Sequence, residues 1–362
     1  MALDRNQPFL LIANPENRRA TYFGAACRKL SLPQPKIHSW DELVAGRWPE
    51  PLSGPVRIES PGERFSVERG LIVRGGETSA VRLMEEPGRI RYQPEWYAGW
   101  LSLLRELESR GREARFMNSP AEIALMFDKW RCQEALEKAV PVPERIGRFR
   151  TFDELIALME TRGAHRVFVK PRHGSSASGV VALERAGARI RATTSVRMER
   201  QVGGETHLFN VLRMQRYEAL EEVRQLIDAL GGQNLFAERW FPKARLDQRS
   251  FDLRVVVIAG RAGHVVMRTS RSPITNLHLG NARGDLPALK ALMGPEKWNG
   301  VMDVCQAAAG VFPGSHYVSV DLMISPGFER FAVAEVNAFG DLLPNVLVGG
   351  MDTYTEELAS FF

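Results

Sequence analysis

Apolar positions in the first hundred residues switch between strand-like runs and helical spacing. Residues 9–13 (FLLIA) form an unbroken apolar run of strand length, closed by Asn14-Pro15, which fits a buried strand. Tyr22, Phe23, Ala26 and Leu30 then recur at helical spacing, predicting a helix with those four side chains on its inner face. A second strand is expected to end in LIVRGGE (71–77), and EWYAGWLSLLREL (95–107) has the spacing of an amphipathic helix. Strands alternating with helices predict a small α/β domain. No GxGxxG follows the first strand, so the domain is Rossmann-like in pattern but lacks the dinucleotide fingerprint.

The pattern changes near Asn118. In NSPAEIALMFDKW, Ser119 is an expected N-cap, Pro120 the first helical residue and Glu122 the residue that completes a capping box. A second helix is expected over 129–138, ended by the two prolines of VPVPER (140–145). FVKPRHGSSASGVVAL (168–183) reads as a hairpin around a loop of small residues, and ARIRATTSVRMER (188–200) as a further strand. EALEEVRQLIDAL (218–230) is a predicted helix stopped by Gly231-Gly232, followed by the strand NLFAERWF (234–241). The last third predicts antiparallel hairpins: 250–270 turns near Gly260 to Gly263, and HYVSVDLMI (316–324) with RFAVAEVNAFGD (330–341) turns at Ser325-Pro326-Gly327. No internal repeat is present.

With 362 residues, 44% apolar and 25% charged, the chain suits two or three globular domains. No run of 18 apolar residues exists to span a bilayer, and the N-terminal MALDRNQPFLLIANP is interrupted too early for a secretory signal. A cytoplasmic protein with no membrane partner is therefore expected. Cys27, Cys132 and Cys305 are widely spaced without a CxxC, which points to buried small apolar residues rather than a disulfide framework or zinc site. The net charge is +5, with arginine greatly outnumbering lysine and both scattered among acids. A nucleic-acid surface usually gathers its charge into a stripe, so small anionic ligands fit better and no nucleic-acid partner is expected.

Three places carry candidate chemistry. Lys170 closes an apolar run and is followed by PRHGSSASG. Backbone N–H groups of a glycine-rich turn can converge on an anion while an ammonium neutralises it, making Lys170, Gly174, Ser175, Ser176 and Gly179 a candidate phosphate site. This is not a Walker loop, because Gly179 is followed by Val180 and the lysine precedes the loop. An unliganded hairpin tip is the plainer alternative. Further on, alternation places Phe331, Val333, Glu335 and Asn337 on one strand face, with Asp321 opposite. Two carboxylates and an amide oxygen at short range call for a cation, and hard oxygen donors select magnesium or manganese; a solvated strand surface is the alternative. Finally, Asp252 and Arg254 share a face, with Arg268 near them across a turn. Arg254 either pairs structurally with Asp252 or holds phosphate or substrate, whereas Arg268 and Arg271 have no acid nearby in the sequence. His278, in the loop 276–285, is either a hydrogen-bonding loop residue or a base.

Taken in order, NSP…DKW with Lys129, VPVP, FVKPRHGSSASG with Lys170, FAERWF with Glu238 and Trp240, DLRVVVI, NLHLGN and AEVNAFGD resemble the ATP-grasp superfamily across roughly residues 118–341. The pattern is most like carboxylate–amine ligases such as the ribosomal-protein glutamate ligases and glutathione synthetases. The resemblance implies an α/β (α+β) chain: a Rossmann-like domain preceding the module (1–117), a lobe with a glycine-rich lid hairpin (118–235) and a lobe with the metal and substrate sites (236–362). It further implies that Lys129 and Lys170 hold nucleotide phosphates, that Gly174, Ser175, Ser176 and Gly179 belong to the lid, and that Glu238 and Trp240 lie on the adenine-binding hinge. Asp321, Glu335 and Asn337 are the implied magnesium ligands, and Arg254 and Arg268 the residues that steady the transferring phosphate and acyl intermediate. The implied activity joins a small-molecule or peptide carboxylate to an amine through an acylphosphate, using ATP with Mg2+ or Mn2+, with homodimer formation left open. A phosphotransferase acting on a hydroxyl and a nucleotide-binding module without turnover are the competing readings. The stretch 201–217 is longer than simpler members need, and either shapes an acceptor site or extends the central sheet.

Overall fold

The protein is described by a computed structural model covering residues 4–362, apart from 63, 202, 276–280, 340–342 and 344. Three sheets organise it. The first is parallel, with strands in the order Lys36–His38, Leu10–Ile12, Ser53–Ile58 and Glu113–Phe116. Helices Arg18–Lys29, Phe65–Arg74 and Gln93–Arg110 accompany it. The α/β expectation holds, but LIVRGGE does not end a strand: Leu71 and Ile72 are buried with Val67 on the helix Phe65–Arg74. A short apolar run has the same appearance in a strand and in a buried helix segment, and the true strand, SGPVRI, is disguised by its glycine and proline. Tyr22 is 43% exposed and stacks on Tyr354; Ala20, Phe23, Ala26 and Cys27 form the inner face of its helix instead.

The middle sheet is antiparallel, in the order Arg145–Phe149, Leu235–Arg239, Arg166–Pro171, Val181–Ala186, Arg189–Arg200 and Thr206–Tyr217. Val167, Val169, Leu235 and Ala237 form a core with helices Phe152–Thr161 and Leu220–Leu230. Alternation therefore turns Phe168, Lys170, Phe236 and Glu238 to the opposite face, where Phe236 pairs in register with Lys170 and Glu238 with Phe168. The stretch 201–217 extends this sheet as its edge strand Thr206–Tyr217.

The third sheet runs Ala282–Arg283, Arg261–Ser270, Arg249–Ile258, Tyr317–Ile324 and Phe331–Asn337, with Arg245–Leu246 paired to Arg249–Ile258. Leu253, Val255, Val320, Leu322, Val333 and Val336 share a core with Val301, Cys305 and Ala308 of helix Leu286–Ala309. Helices Pro120–Phe127 and Lys129–Leu136 join the same core through Ile123, Cys132 and Leu136. Ser119 accepts from the Glu122 backbone as expected of an N-cap. The Glu122 carboxylate does not close a capping box; it accepts from Gly314 N (2.8 Å) and Ser315 Oγ (2.6 Å), tying this helix to the loop before the strand Tyr317–Ile324. All three cysteines are buried and free.

The C-terminal helix Thr353–Phe361 returns to the first sheet, where a buried charge cluster fixes it. Arg57 donates to Glu59 and to Glu357, each at 2.7 Å, and its guanidinium lies 4.5–4.8 Å from the ring centres of Phe23, Tyr317 and Tyr354. Among the described residues, no helix is long and apolar enough to cross a membrane.

Candidate active site

Lys129, Lys170, Glu238 and Glu335 line one cleft between the middle sheet, the helix Lys129–Leu136 and the strand Phe331–Asn337. Strand alternation delivers Lys170 and Glu238 side by side, and the ammonium of Lys170 pairs with the carboxylate of Glu238. Glu238 is only 3% exposed. Burial raises its pKa, and the lysine works against that rise. Lys129 is the first residue of its helix, which Asp128 caps by accepting from Arg131 N at 3.2 Å. Its ammonium lies 2.5 Å from the Gly174 carbonyl and 3.8 Å from Glu335. Trp240 is not among the residues that line the cleft. It packs on Phe168, ring centres 4.9 Å apart, and its backbone N–H donates to the Arg166 carbonyl.

The small-residue loop is tightly turned. Gly179 has φ +77°, and a Cβ there would come within 2.5 Å of Pro171, so the glycine is required on both counts. Ser176 and Ala177 also adopt left-handed conformations, and Ser178 N and Val180 N donate to Ser175 O and Ala177 O. The root of the loop is anchored by residues that the sequence reading did not single out. Arg172 donates twice to Asp128, at 2.6 and 2.5 Å, while its carbonyl accepts from Lys129 N at 3.0 Å. His173 lies flat on Tyr97 of the helix Gln93–Arg110, with ring centres 4.0 Å apart and planes 6° from parallel. Burial opposes the charge on Asp128, yet the nearby imidazole of His173, 3.9 Å away, and the two hydrogen bonds from Arg172 hold its pKa well below the usual carboxylate range. Adjacency to Lys129 and Lys170 in DKW and KPRH was the available signal.

Charged side chains interlock across the third sheet. Asp252 pairs in register with Arg268, Arg254 with Asp321, and Asp321 with Glu335. Arg254 does not pair with Asp252; it donates to Asp321 through Nε (2.7 Å) and Nη2 (2.8 Å), with Glu335 4.0 Å away. Arg268, with no acid nearby along the chain, lies beside Asp252 across the turn as expected and also reaches a second acid, at 2.7 Å from Asp252 and 3.0 Å from Asp321. Cross-strand register, not separation along the chain, selects these partners. Burial would raise the pKa of Asp321, but Arg254 and Arg268 overcome that effect and hold it well below the usual range.

A bulge reorganises the strand Phe331–Asn337. Leu322 pairs with Val333 and Asp321 with Glu335, so Ala334 is the extra residue. Val333 and Val336 therefore both enter the core, and Val333 does not share a face with Glu335. Glu335 and Asn337 stay together, Asn337 Nδ2 donating to Glu335 at 3.3 Å. Arg271 is exposed, and His278 lies outside the described residues. Lys243, also absent from the sequence reading, reaches this cluster: its ammonium lies 2.9 Å from Thr275 Oγ1 and 3.6 Å from Asp252.

No family model and no curated protein sequence matches the chain. Solved structures do. D-cycloserine synthetase DcsG matches 98% of this chain and 99% of its own, with a TM-score of 0.58 and 12% identity. The ATP-grasp ligase PsnB, complexed with a phosphomimetic variant of its minimal precursor, Mg and ADP, matches 96% of each chain with a TM-score of 0.54 and 13% identity. The chain has the ATP-grasp fold. PurK, an N5-carboxyaminoimidazole ribonucleotide synthetase in its ADP complex, is also similar, with a TM-score of 0.55 and 12% identity over 98% of this chain and 77% of that one. These identities make the likeness one of fold, and its coverage includes the first, parallel sheet.

On this ATP-grasp scaffold, Asp321, Glu335 and Asn337 offer hard oxygens from adjacent strands. A carboxylate has about four acceptor sites, so the guanidinium contacts to Asp321 do not by themselves exhaust it. Among the described residues, no three or more His, Cys, Asp or Glu side chains gather into a metal cluster. Two carboxylates and an amide suit magnesium, which is usually bound by one or two carboxylates together with substrate phosphates rather than by an all-protein cage.

Proposed function

We propose that the protein is an ADP-forming ligase that joins a carboxylate to an amine through an acylphosphate. The observation that carries this reading is the convergence of Lys129, Lys170 and Glu335 on one cleft, with Glu335 bordering the Arg254–Asp321–Arg268 cluster. Two ammonium groups beside Glu335 and the buried acid–guanidinium cluster can hold a polyphosphate at one end and a transferring group at the other.

In this reading, Lys129 and Lys170 bind the nucleotide phosphates, and Glu238, on the hinge strand Leu235–Arg239, and Trp240, directly after it, lie on the adenine-binding hinge. Lys129 leaves the Gly174 carbonyl when phosphate arrives, and the loop containing Gly174, Ser175, Ser176 and Gly179 closes as a lid; its small residues let backbone amides approach the anion. Asp321, Glu335 and Asn337 would hold magnesium, which would offset charge on the phosphates. A substrate carboxylate oxygen attacks the terminal phosphorus, and the bond to ADP breaks. The amine then attacks the acyl carbon, the carbon–oxygen bond to phosphate breaks, and the amine gives up a proton. Arg254 and Arg268 stabilise the anionic intermediate through guanidinium hydrogen bonds.

Among proteins of this fold, PsnB is complexed with a precursor and DcsG is a synthetase named for a small product, so a carboxylate and an amine on either a peptide or a small molecule are the substrate class. An ADP-release screen over acids and amines, supplied separately and together, tests the reading. Release that requires both supports ligation; release with a hydroxyl compound alone, yielding a phosphorylated product, would overturn it.

A further inference from the structure

Lys243 is a buried ammonium with no use in the chemistry above. It lies between the hinge strand Leu235–Arg239 and the strand Arg245–Leu246, with a side chain only 7% exposed. An ammonium has three donors. One meets the Thr275 hydroxyl at 2.9 Å, and the carboxylate it approaches, Asp252, is 3.6 Å away, beyond hydrogen-bond length. Asp252 is already engaged: Oδ1 accepts from Arg268 at 2.7 Å and Oδ2 from Thr275. One buried carboxylate thus serves both Arg268 and Lys243, and the lysine has the poorer share. Burying an ammonium on such terms is costly unless an anion completes the site.

Resting on the ligase reading, we infer that Lys243 contacts the oxyanion at the reacting centre, on the far side of Arg268 from Asp321, and that this anion is the transferred phosphoryl group or the carboxylate that receives it. The position fits. Arg268 bridges Asp252, beside Lys243, and Asp321, which Arg254 also holds. Burial depresses the pKa of Lys243, and the cleft lysine Lys170 lies near enough to add to that effect. An oxyanion there would use the unspent N–H groups of Lys243 and relieve the repulsion among the cations.

The test compares wild type with Lys243→Met and Lys243→Arg by calorimetric titration of orthophosphate, and separately acetate, with and without saturating MgADP, alongside ligand-free melting. Lys243→Met should bind ADP as wild type does, lose at least about tenfold in affinity for one of the two anions, and melt no lower than wild type, because Asp252 keeps Arg268 and Thr275. Lys243→Arg should retain most of the binding. Weakened phosphate binding identifies the phosphoryl group, and weakened acetate binding the carboxylate. Unchanged affinity for both anions would overturn the inference, as would a lower ligand-free melting point in Lys243→Met, which would make the lysine a structural partner of Asp252. Failure of wild type to bind ADP would count against the nucleotide reading alone, since the titrations without nucleotide still report on Lys243.

Discussion

Arg172→Ala would cut the side-chain link between the root of the small-residue loop and the start of the helix that carries Lys129. Asp128 accepts both guanidinium bonds with a side chain 2% exposed, whereas that of Arg172 is 23% exposed. Breaking a fully buried pair costs about 3–5 kcal/mol and breaking an open one about 0.2–1 kcal/mol, so this half-open geometry should cost about 2–3 kcal/mol. Asp128→Asn should cost a similar amount while retaining the helix cap, since asparagine caps well; Asp128→Ala should lose about 1 kcal/mol more. Urea denaturation of the two single variants and the double variant Asp128→Asn/Arg172→Ala measures the coupling, expected at about 1.5–3 kcal/mol for a charge-assisted bidentate pair. The Lys129 N–H to Arg172 carbonyl bond survives in Arg172→Ala, so ATP affinity should fall only a few-fold. Single effects that add to within about 0.5 kcal/mol would show that the pair is not coupled, and the argument that it braces the loop would fail.

Lys170→Met should weaken ATP binding about tenfold or more, from the loss of a charge-assisted phosphate contact worth about 1.5–3 kcal/mol. It should also lower stability, because Glu238 is left buried without its cation; Lys170→Met/Glu238→Gln should restore stability but not affinity, and unchanged nucleotide affinity would remove Lys170 from the phosphate site. Glu335→Gln should abolish most turnover at a stability cost below about 1 kcal/mol, since its pair with Lys129 is 3.8 Å long and partly exposed; full activity would exclude it as a magnesium ligand. Glu357 is raised from 4.5 to about 7 by burial, which Arg57 only partly offsets. A folded-state pKa above the unfolded value means that this contribution is fully present below the unfolded pKa and is lost as pH rises through the folded one. Melting curves from about pH 5 to 8 should therefore fall less steeply for Glu357→Gln than for wild type, by at most about 3 kcal/mol over the window, and parallel curves would refute the assignment.

The hairpins of the last two thirds were legible because strand alternation is local and their turns carry glycine or proline. The sequence also placed Lys170 and Glu238 on strands, without revealing that those strands pair, and its alternation put Glu335 and Asn337 on one face. LIVRGGE misled because three apolar residues in a row fit either period. The bulge at Ala334 has no sequence signature in AVAEVN, so the placement of Val333 was lost while that of Glu335 survived. Partner choice was the least legible feature. Arg254 meets Asp321, Arg172 meets Asp128 and Lys243 approaches Asp252 through sheet register or loop path, which separation along the chain does not reveal.

The central claim is that a carboxylate accepts phosphate before an amine displaces it, and the movement of one oxygen tests this most directly. Substrate labelled with heavy oxygen in its carboxylate is turned over with ATP and the amine, and the inorganic phosphate is analysed by mass. The account expects one labelled oxygen in each phosphate, with ADP formed in equal amount, because the oxygen that attacked phosphorus departs with it. Labelled oxygen retained wholly in the amide product, or release of AMP and pyrophosphate, would contradict the acylphosphate route.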